Sequence, residues 1–249
     1  MAPDPPAEAT ADRVARQHLE TLALLGVDFV PVRAGAGGAS PAPVPASAPG
    51  PDAADPAPRG ASAGERLAAL RERYEREATV PRTMPGWSSI VFGDGDPDAR
   101  LMFIGEAPGA DEDAEGVPFV GRAGQKLNEM IRAMGLSRES VYISNVLKVR
   151  PPNNRTPTPE EVQADGPWLL EQIRIVAPEV IVSLGRPAAH FLLHTSASMG
   201  SLRGTWAEHE GVPVMPTYHP AYLLRAYTPE NRRKVWSDLR QVMDRLGLE

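Results

Sequence analysis

Cysteine is absent from all 249 residues. That absence excludes disulfides, thiolate zinc sites, cysteine nucleophiles and cysteine-ligated iron–sulfur clusters together. Long apolar runs are missing too: LMFIG and VIVSL are far too short to cross a bilayer. The N-terminal MAPDPPAEATAD is acidic and broken by proline, without the apolar stretch of an export signal. A membrane or exported protein is therefore disfavoured, and a cytoplasmic one is expected. Lysine is scarce, 3 residues against 23 arginines, which beside abundant Ala, Gly and Pro reads as codon bias. The formal net charge of −6 argues against non-specific coating of nucleic acid. It leaves local contact open, because patches rather than totals steer binding.

What is present divides at a composition shift. Residues 1–64 hold 11 prolines, and 34–63 are almost entirely Ala, Pro, Gly and Ser. Such a segment cannot bury enough apolar surface to offset its ordering entropy, so 34–64 reads as a flexible linker. Ahead of it, within 1–33, Ala9 to Gly26 has helical spacing, with Val14, His18, Leu22 and Leu25 on one stripe. That helix can dock on its own domain or offer a face to a protein partner.

From residue 65 to 249 the texture is one of alternating strands and helices. Four short apolar runs read as strands: Arg100–Ile104, Val141–Val146, Val180–Leu184 and Val212–Pro216. Helical stretches lie at Glu65–Glu77, at Ala123–Met134 and at Pro159–Val176, the last opened by a Thr158/Glu161 capping box. Another begins at Thr228 and ends at Gly247, with Val235, Leu239, Val242, Met243 and Leu246 as its stripe. The expected fold is α/β, a three-layer α/β/α arrangement around a central four-stranded, mostly parallel sheet.

In open α/β sheets ligands bind outside the carboxyl ends of the strands. The first run leads into Gly105-Glu106-Ala107, the second ends near Asn145, and the fourth leads into Tyr218-His219-Pro220. Glu106, Asn145 and His219 are thus expected on one edge. Each has an ordinary alternative: an Asn at a strand end is often a cap, a His before Pro a loop residue, Phe119 a core aromatic. The acidic run 111–115 would in isolation be a solvated face. GEAPG lacks dinucleotide spacing, and no P-loop, serine elbow or HExxH occurs.

Taken together, GEAPGADED (105–113), GVPFVGRAG (116–124), NVLKVRPPNNRTPTPEE carrying Asn145, and HPAYLLR carrying His219 resemble the family-4 uracil-DNA glycosylases. The likeness spans about three-fifths of the chain, 91–246, with the motifs in family order. It implies a catalytic domain over 65–249 that hydrolyses the N-glycosidic bond of uracil in DNA, for base excision repair. By resemblance, Phe119 stacks on uracil, Asn145 bonds the pyrimidine edge, main chain around Ala107 lines the pocket, and His219 donates to uracil O2. Glu106 and Glu112 match acidic positions that orient water or stabilise the cationic sugar, their roles undivided. Leu223 or Leu224 would wedge into the base stack, Arg225 would meet phosphate, and Lys148 and Arg150 are further expected DNA contacts.

One departure is plain. The family ordinarily carries four cysteines ligating a [4Fe–4S] cluster, two near the domain's start and two around PPNNRTPTPEE. Here the latter positions hold Val149 and Asp165, and the former pair falls within 71–83. No cofactor or metal is expected. Apolar packing around Val149, the prolines, and an ion pair of Asp165 with an arginine are the expected replacement. Residues 149–153 contain no histidine, which disfavours a covalent uracil trap. The chain is expected to act as a monomer on uracil-containing DNA. Two other readings stay open: a non-catalytic module that binds uracil or damaged DNA and recruits partners, and a small-molecule N-glycosidase on the same fold.

Overall fold

The computed structural model describes residues 60–248. The helix expected within 1–33, and all but the last residues of the linker, lie outside the described residues.

Helix α1 (Ala63–Glu77) starts where Ser62 and Glu65 form a capping box: Ser62 N donates to Glu65 Oε2 at 2.8 Å, and Glu65 N donates to Ser62 Oγ at 3.3 Å. Its residues Leu67, Leu70 and Tyr74 recur at helical spacing and are buried together. A short turn of helix, α2 (Val80–Thr83), follows. The chain then enters a sheet of six strands: β1 (Asp94–Gly95), β2 (Leu101–Gly105), β3 (Tyr142–Asn145), β4 (Val180–Leu184), β5 (Ala207–His209) and β6 (Val212–Thr217). Their order is β1-β3-β2-β4-β6-β5. The four expected strands form the parallel centre, and the count of four is corrected by two antiparallel edge strands. These edges, of two and three residues, carry no apolar run that could announce them.

The connecting helices are α3 (Ala110–Glu115), α4 (Arg122–Ala133), α5 (Pro159–Val176), α6 (Arg186–Leu193), α7 (Met199–Leu202), α8 (Pro220–Arg225) and α9 (Pro229–Leu246). Both sheet faces are covered, because the period-2 alternation sends successive central residues to opposite sides. Met102, Ile104, Ile181 and Val214 pack with α1, α5 and α6 through Leu70, Trp168, Leu169 and Leu192. Leu101, Phe103, Val182 and Met215 pack with α4 and α9 through Leu127, Ile131, Leu239 and Val242. After β2 the chain turns to β3 on one side, and after β4 it turns to β6 on the other. That reversal opens a crevice at the carboxyl ends of β2 and β4.

Candidate active site

β2 and β3 run in register, with Gly105 opposite Asn145, so both strands end at the same level. On the other side β4 pairs Leu184 with Thr217 of β6, two residues before His219. Glu106, Ala107, Phe119, Asn145 and His219, far apart in sequence, line one cavity of about 850 Å³.

Two glycines make the convergence possible. A Cβ on Gly105 would stand 2.3 Å from Asn145 Oδ1 and 2.6 Å from the Phe119 ring, so the bare backbone lets amide and ring approach. Gly185, with φ +87°, lies against His219; a Cβ there would sit 3.0 Å from the imidazole's own Cβ.

Asn145 is 2% exposed, and its Oδ1 has no hydrogen-bond partner among the described residues. A buried, unsatisfied acceptor is costly, and it becomes satisfied when a ligand N–H meets it. The His219 imidazole receives Ala221 N–H on Nδ1 at 3.1 Å, which leaves the proton on Nε2. Burial, and secondarily the Arg225 charge, push its pKa down to about 4, so the ring is a neutral donor at physiological pH. The Phe119 and His219 rings face each other, 5.5 Å between centroids and tilted by 31°.

Phe119 is held in left-handed backbone, φ +54°, a conformation disfavoured for a bulky residue unless its surroundings impose it. Two groups impose it. Arg138 donates from Nη1 to Phe119 O at 3.1 Å and from Nη2 to Pro118 O, and is itself held by Asp94 and Asn128. Glu112 accepts from Gly109 N at 3.1 Å and from Val120 N and Gly121 N, each at 3.0 Å.

The two carboxylates left undivided by the sequence differ in their surroundings. Glu112 also lines the cavity, and it accepts three main-chain N–H bonds that brace the Phe119 loop. Glu106 is half-buried in the cavity; burial raises its carboxyl above the ordinary value, against the opposing Thr156 hydroxyl and Arg186 guanidinium. The run 111–115, read as a solvated face, is helix α3, and its Asp113 is buried as an acceptor for Ser88 and Ser89 N–H.

Other expected contacts are redistributed. Lys148 is fully buried and bonded internally, which rules it out as a phosphate contact. Leu223 belongs to the core beside α4 and α9, so Leu224, half-buried on α8, is left as the wedge candidate. The HPAYLLR segment is itself helix α8, with His219 as its N-cap. Arg225 is exposed and lines the cavity, whereas Arg150 turns to Asn154 Oδ1 at 2.6 Å and stands 4.0 Å from Asp113. Sequence reading missed Arg138, Arg122 and Arg186. Arg186 follows the third apolar run after Gly185 and could have been found by the strand-end rule; nothing local marked Arg138.

The positions where the resemblance places cluster ligands do not fit such a group. Val149 is packed in the apolar core. Asp165, also fully buried, accepts from Tyr74 Oη and Lys148 N rather than pairing with an arginine, a correction to the expected ion pair. A tetrathiolate cluster needs ligands this chain lacks throughout.

As a whole the cavity offers an aromatic wall, an amide, a neutral imidazole donor and a half-buried carboxylate. That set suits a planar heterocycle with alternating acceptors and donors, and a leaving group that departs as an anion.

Comparison with known proteins agrees with this chemistry. A family model described as "Uracil DNA glycosylase superfamily" matches residues 92–240. A "Type-4 uracil-DNA glycosylase" of Thermotoga maritima is 49% identical over 179 residues, covering 70% of this chain and 92% of that protein. One of the same description from Archaeoglobus fulgidus is 45% identical over 168 residues, 64% of this chain and 83% of that protein. A "Type-5 uracil-DNA glycosylase" of Thermus thermophilus is 37% identical over 153 residues, 53% of this chain and 69% of that protein. The crevice at the strand ends, the side chains gathered in it and these matches lead to one assignment: the chain belongs to the uracil-DNA glycosylase superfamily.

Proposed function

We propose that this protein is a monofunctional uracil-DNA glycosylase that releases uracil from DNA, leaves an abasic site for base excision repair, and works without an iron–sulfur cluster. The extruded base enters the cavity and lies on Phe119. Asn145 supplies an acceptor for N3–H and a donor for O4, a pairing cytosine cannot satisfy. Phe119 and its neighbours exclude the thymine methyl. As the C1′–N1 bond breaks, its electron pair moves onto the base, and His219 Nε2–H stabilises the charge at O2. Glu106 orients a water, whose oxygen bonds C1′ and whose proton the carboxylate accepts.

The observation that carries this reading is the buried, unpartnered Oδ1 of Asn145, held beside Phe119 and His219. DNA as substrate is supported by the cavity's rim, where Arg122, Arg186 and Arg225 are exposed around the mouth. Leu224 is the wedge and Arg225 the phosphate contact in this reading, and the enzyme acts as a cytoplasmic monomer. Incubation with a uracil-containing oligonucleotide followed by alkali tests it. Strand cleavage at the uracil position is expected. An intact strand, or turnover of free deoxyuridine with indifference to DNA, would contradict it.

A further inference from the structure

Five polar side chains that the proposed chemistry does not use lie fully buried around the end of β3: Tyr74, Ser144, Lys148, Asp165 and Gln172 are each 0% exposed. None of them lines the cavity. The Lys148 ammonium folds back over its own loop and donates to Asn145 O at 2.6 Å and to Ser144 Oγ at 2.8 Å. Ser144 Oγ in turn lies 3.0 Å from Gln172 Oε1 and from Phe92 O. The main-chain N–H of Lys148 donates to Asp165 Oδ2 at 2.8 Å, and the Tyr74 hydroxyl reaches both oxygens of Asp165 at 3.0 Å. One connected set of bonds therefore joins α1, α5 and the loop after β3, and it ends on the carbonyl of the residue whose amide faces the cavity.

A buried ammonium and a buried carboxylate are expensive, and well-packed apolar residues would serve stability as well or better. What they supply is direction. The Asn145 carbonyl is gripped from below by Lys148, while Val146 N and Leu147 N bond Gly105 O and Glu106 O at 3.0 and 3.1 Å from the adjoining strand end. The main chain carrying the amide is thus fixed on both sides. Burial pushes the Lys148 ammonium down and the Asp165 carboxyl up, and each charge opposes the other's shift, so the two sites act together.

We propose that the Tyr74–Asp165–Lys148 chain is a positioning device for Asn145, setting the amide's orientation before the base arrives. It stands where the resemblance places a metal cluster, at Asp165 and within 71–83, and joins the loop to α1 by hydrogen bonds instead of coordination. This rests on the reading of Asn145 as the base-reading residue.

The test compares Lys148→Met, the Lys148→Met/Asp165→Asn pair, Tyr74→Phe and Asn145→Ala, scored by thermal midpoint, uracil excision and inhibition by free uracil. Lys148→Met is expected to lose both stability and uracil affinity, because it leaves a buried carboxylate facing no cation. Adding Asp165→Asn removes that charge and is expected to restore the thermal midpoint. Inhibition by free uracil should stay about 10-fold weaker than in the parent, since the carbonyl of Asn145 is still ungripped. Parent-like uracil inhibition and excision in the double variant would overturn the proposal. Should that variant not fold, Tyr74→Phe decides, because its ring keeps its packing against Phe92 and Trp168. A several-fold weakening of uracil inhibition is expected there, and none would overturn the link through Asp165. If Asn145→Ala is inhibited by uracil as the parent is, the base-reading assignment itself fails, and the proposal with it.

Discussion

His219 is a neutral ring carrying its proton on Nε2 because of one main-chain bond and its burial. Ala221 N–H occupies Nδ1, so the pocket meets Nε2–H, and the ring's pKa of about 4 keeps it uncharged. Between the ordinary value of 6.5 and about 4 the unfolded chain binds a proton that the native ring refuses. This residue's contribution to stability is therefore complete above pH 6.5 and falls away as the pH drops through that window. His219→Ala should flatten that part of the stability–pH curve. The same substitution is expected to lower excision by about 10²–10³-fold while DNA binding persists; near-parental turnover would exclude the leaving-group role. In the proposed mechanism Glu106 must be ionised to orient water, and burial raises its carboxyl. Activity should accordingly fall with acid at a pH above the ordinary carboxylate range, and Glu106→Gln should be about 10²-fold slower and lack that limb. Asn145→Asp should relax discrimination against cytosine, whose N4–H₂ a carboxylate can accept, as competition between uracil- and cytosine-containing strands would register. At this scale the sequence was legible where a polar residue lies at or just beyond the end of an apolar run, as Glu106, Asn145 and His219 do. It was misleading where burial decides. Lys148 reads as a surface cation until Ser144, Asp165 and the end of β3 close around it, and Asp165 lies 17 residues away along the chain.

Among the elements, the loop between α3 and α4 carries Phe119 and is held by contacts the spacing of residues cannot reveal. Glu112 bonds back to Gly109 and forward to Val120 and Gly121, and Arg138 approaches from a turn 19 residues beyond Phe119. Arg138→Met is expected to raise KM for uracil-containing DNA about 10-fold with a smaller change in kcat, because it frees the ring without touching the reacting atoms. An effect on kcat alone would place Arg138 in the chemistry instead. Helices with strong stripes and caps were foreseeable: α5 begins and ends where Thr158, Glu161 and the apolar spacing indicate. The short helices α6, α7 and α8 and the edge strands β1 and β5 were not, since elements of so few residues form through tertiary contacts rather than local pattern.

The whole molecule carries a net charge of −6, yet presents exposed arginines around the mouth of its cavity. Catalytic efficiency on uracil-containing DNA should fall steeply with salt, and Arg122→Gln should reduce the slope of log efficiency against log salt by about 1. The family resemblance, the central sheet and the position of the site could be read from order and spacing of motifs. The bonds that join the loop after β3 to α1 and α5 could not, because Tyr74, Asp165 and Lys148 meet from three elements. Most directly, the account is tested by a crystal structure of the protein soaked with uracil. The base is expected on Phe119, with the Asn145 amide at its N3–O4 edge and His219 Nε2 within hydrogen-bond reach of O2. Uracil bound elsewhere, or an Asn145 amide turned away from it, would contradict the account.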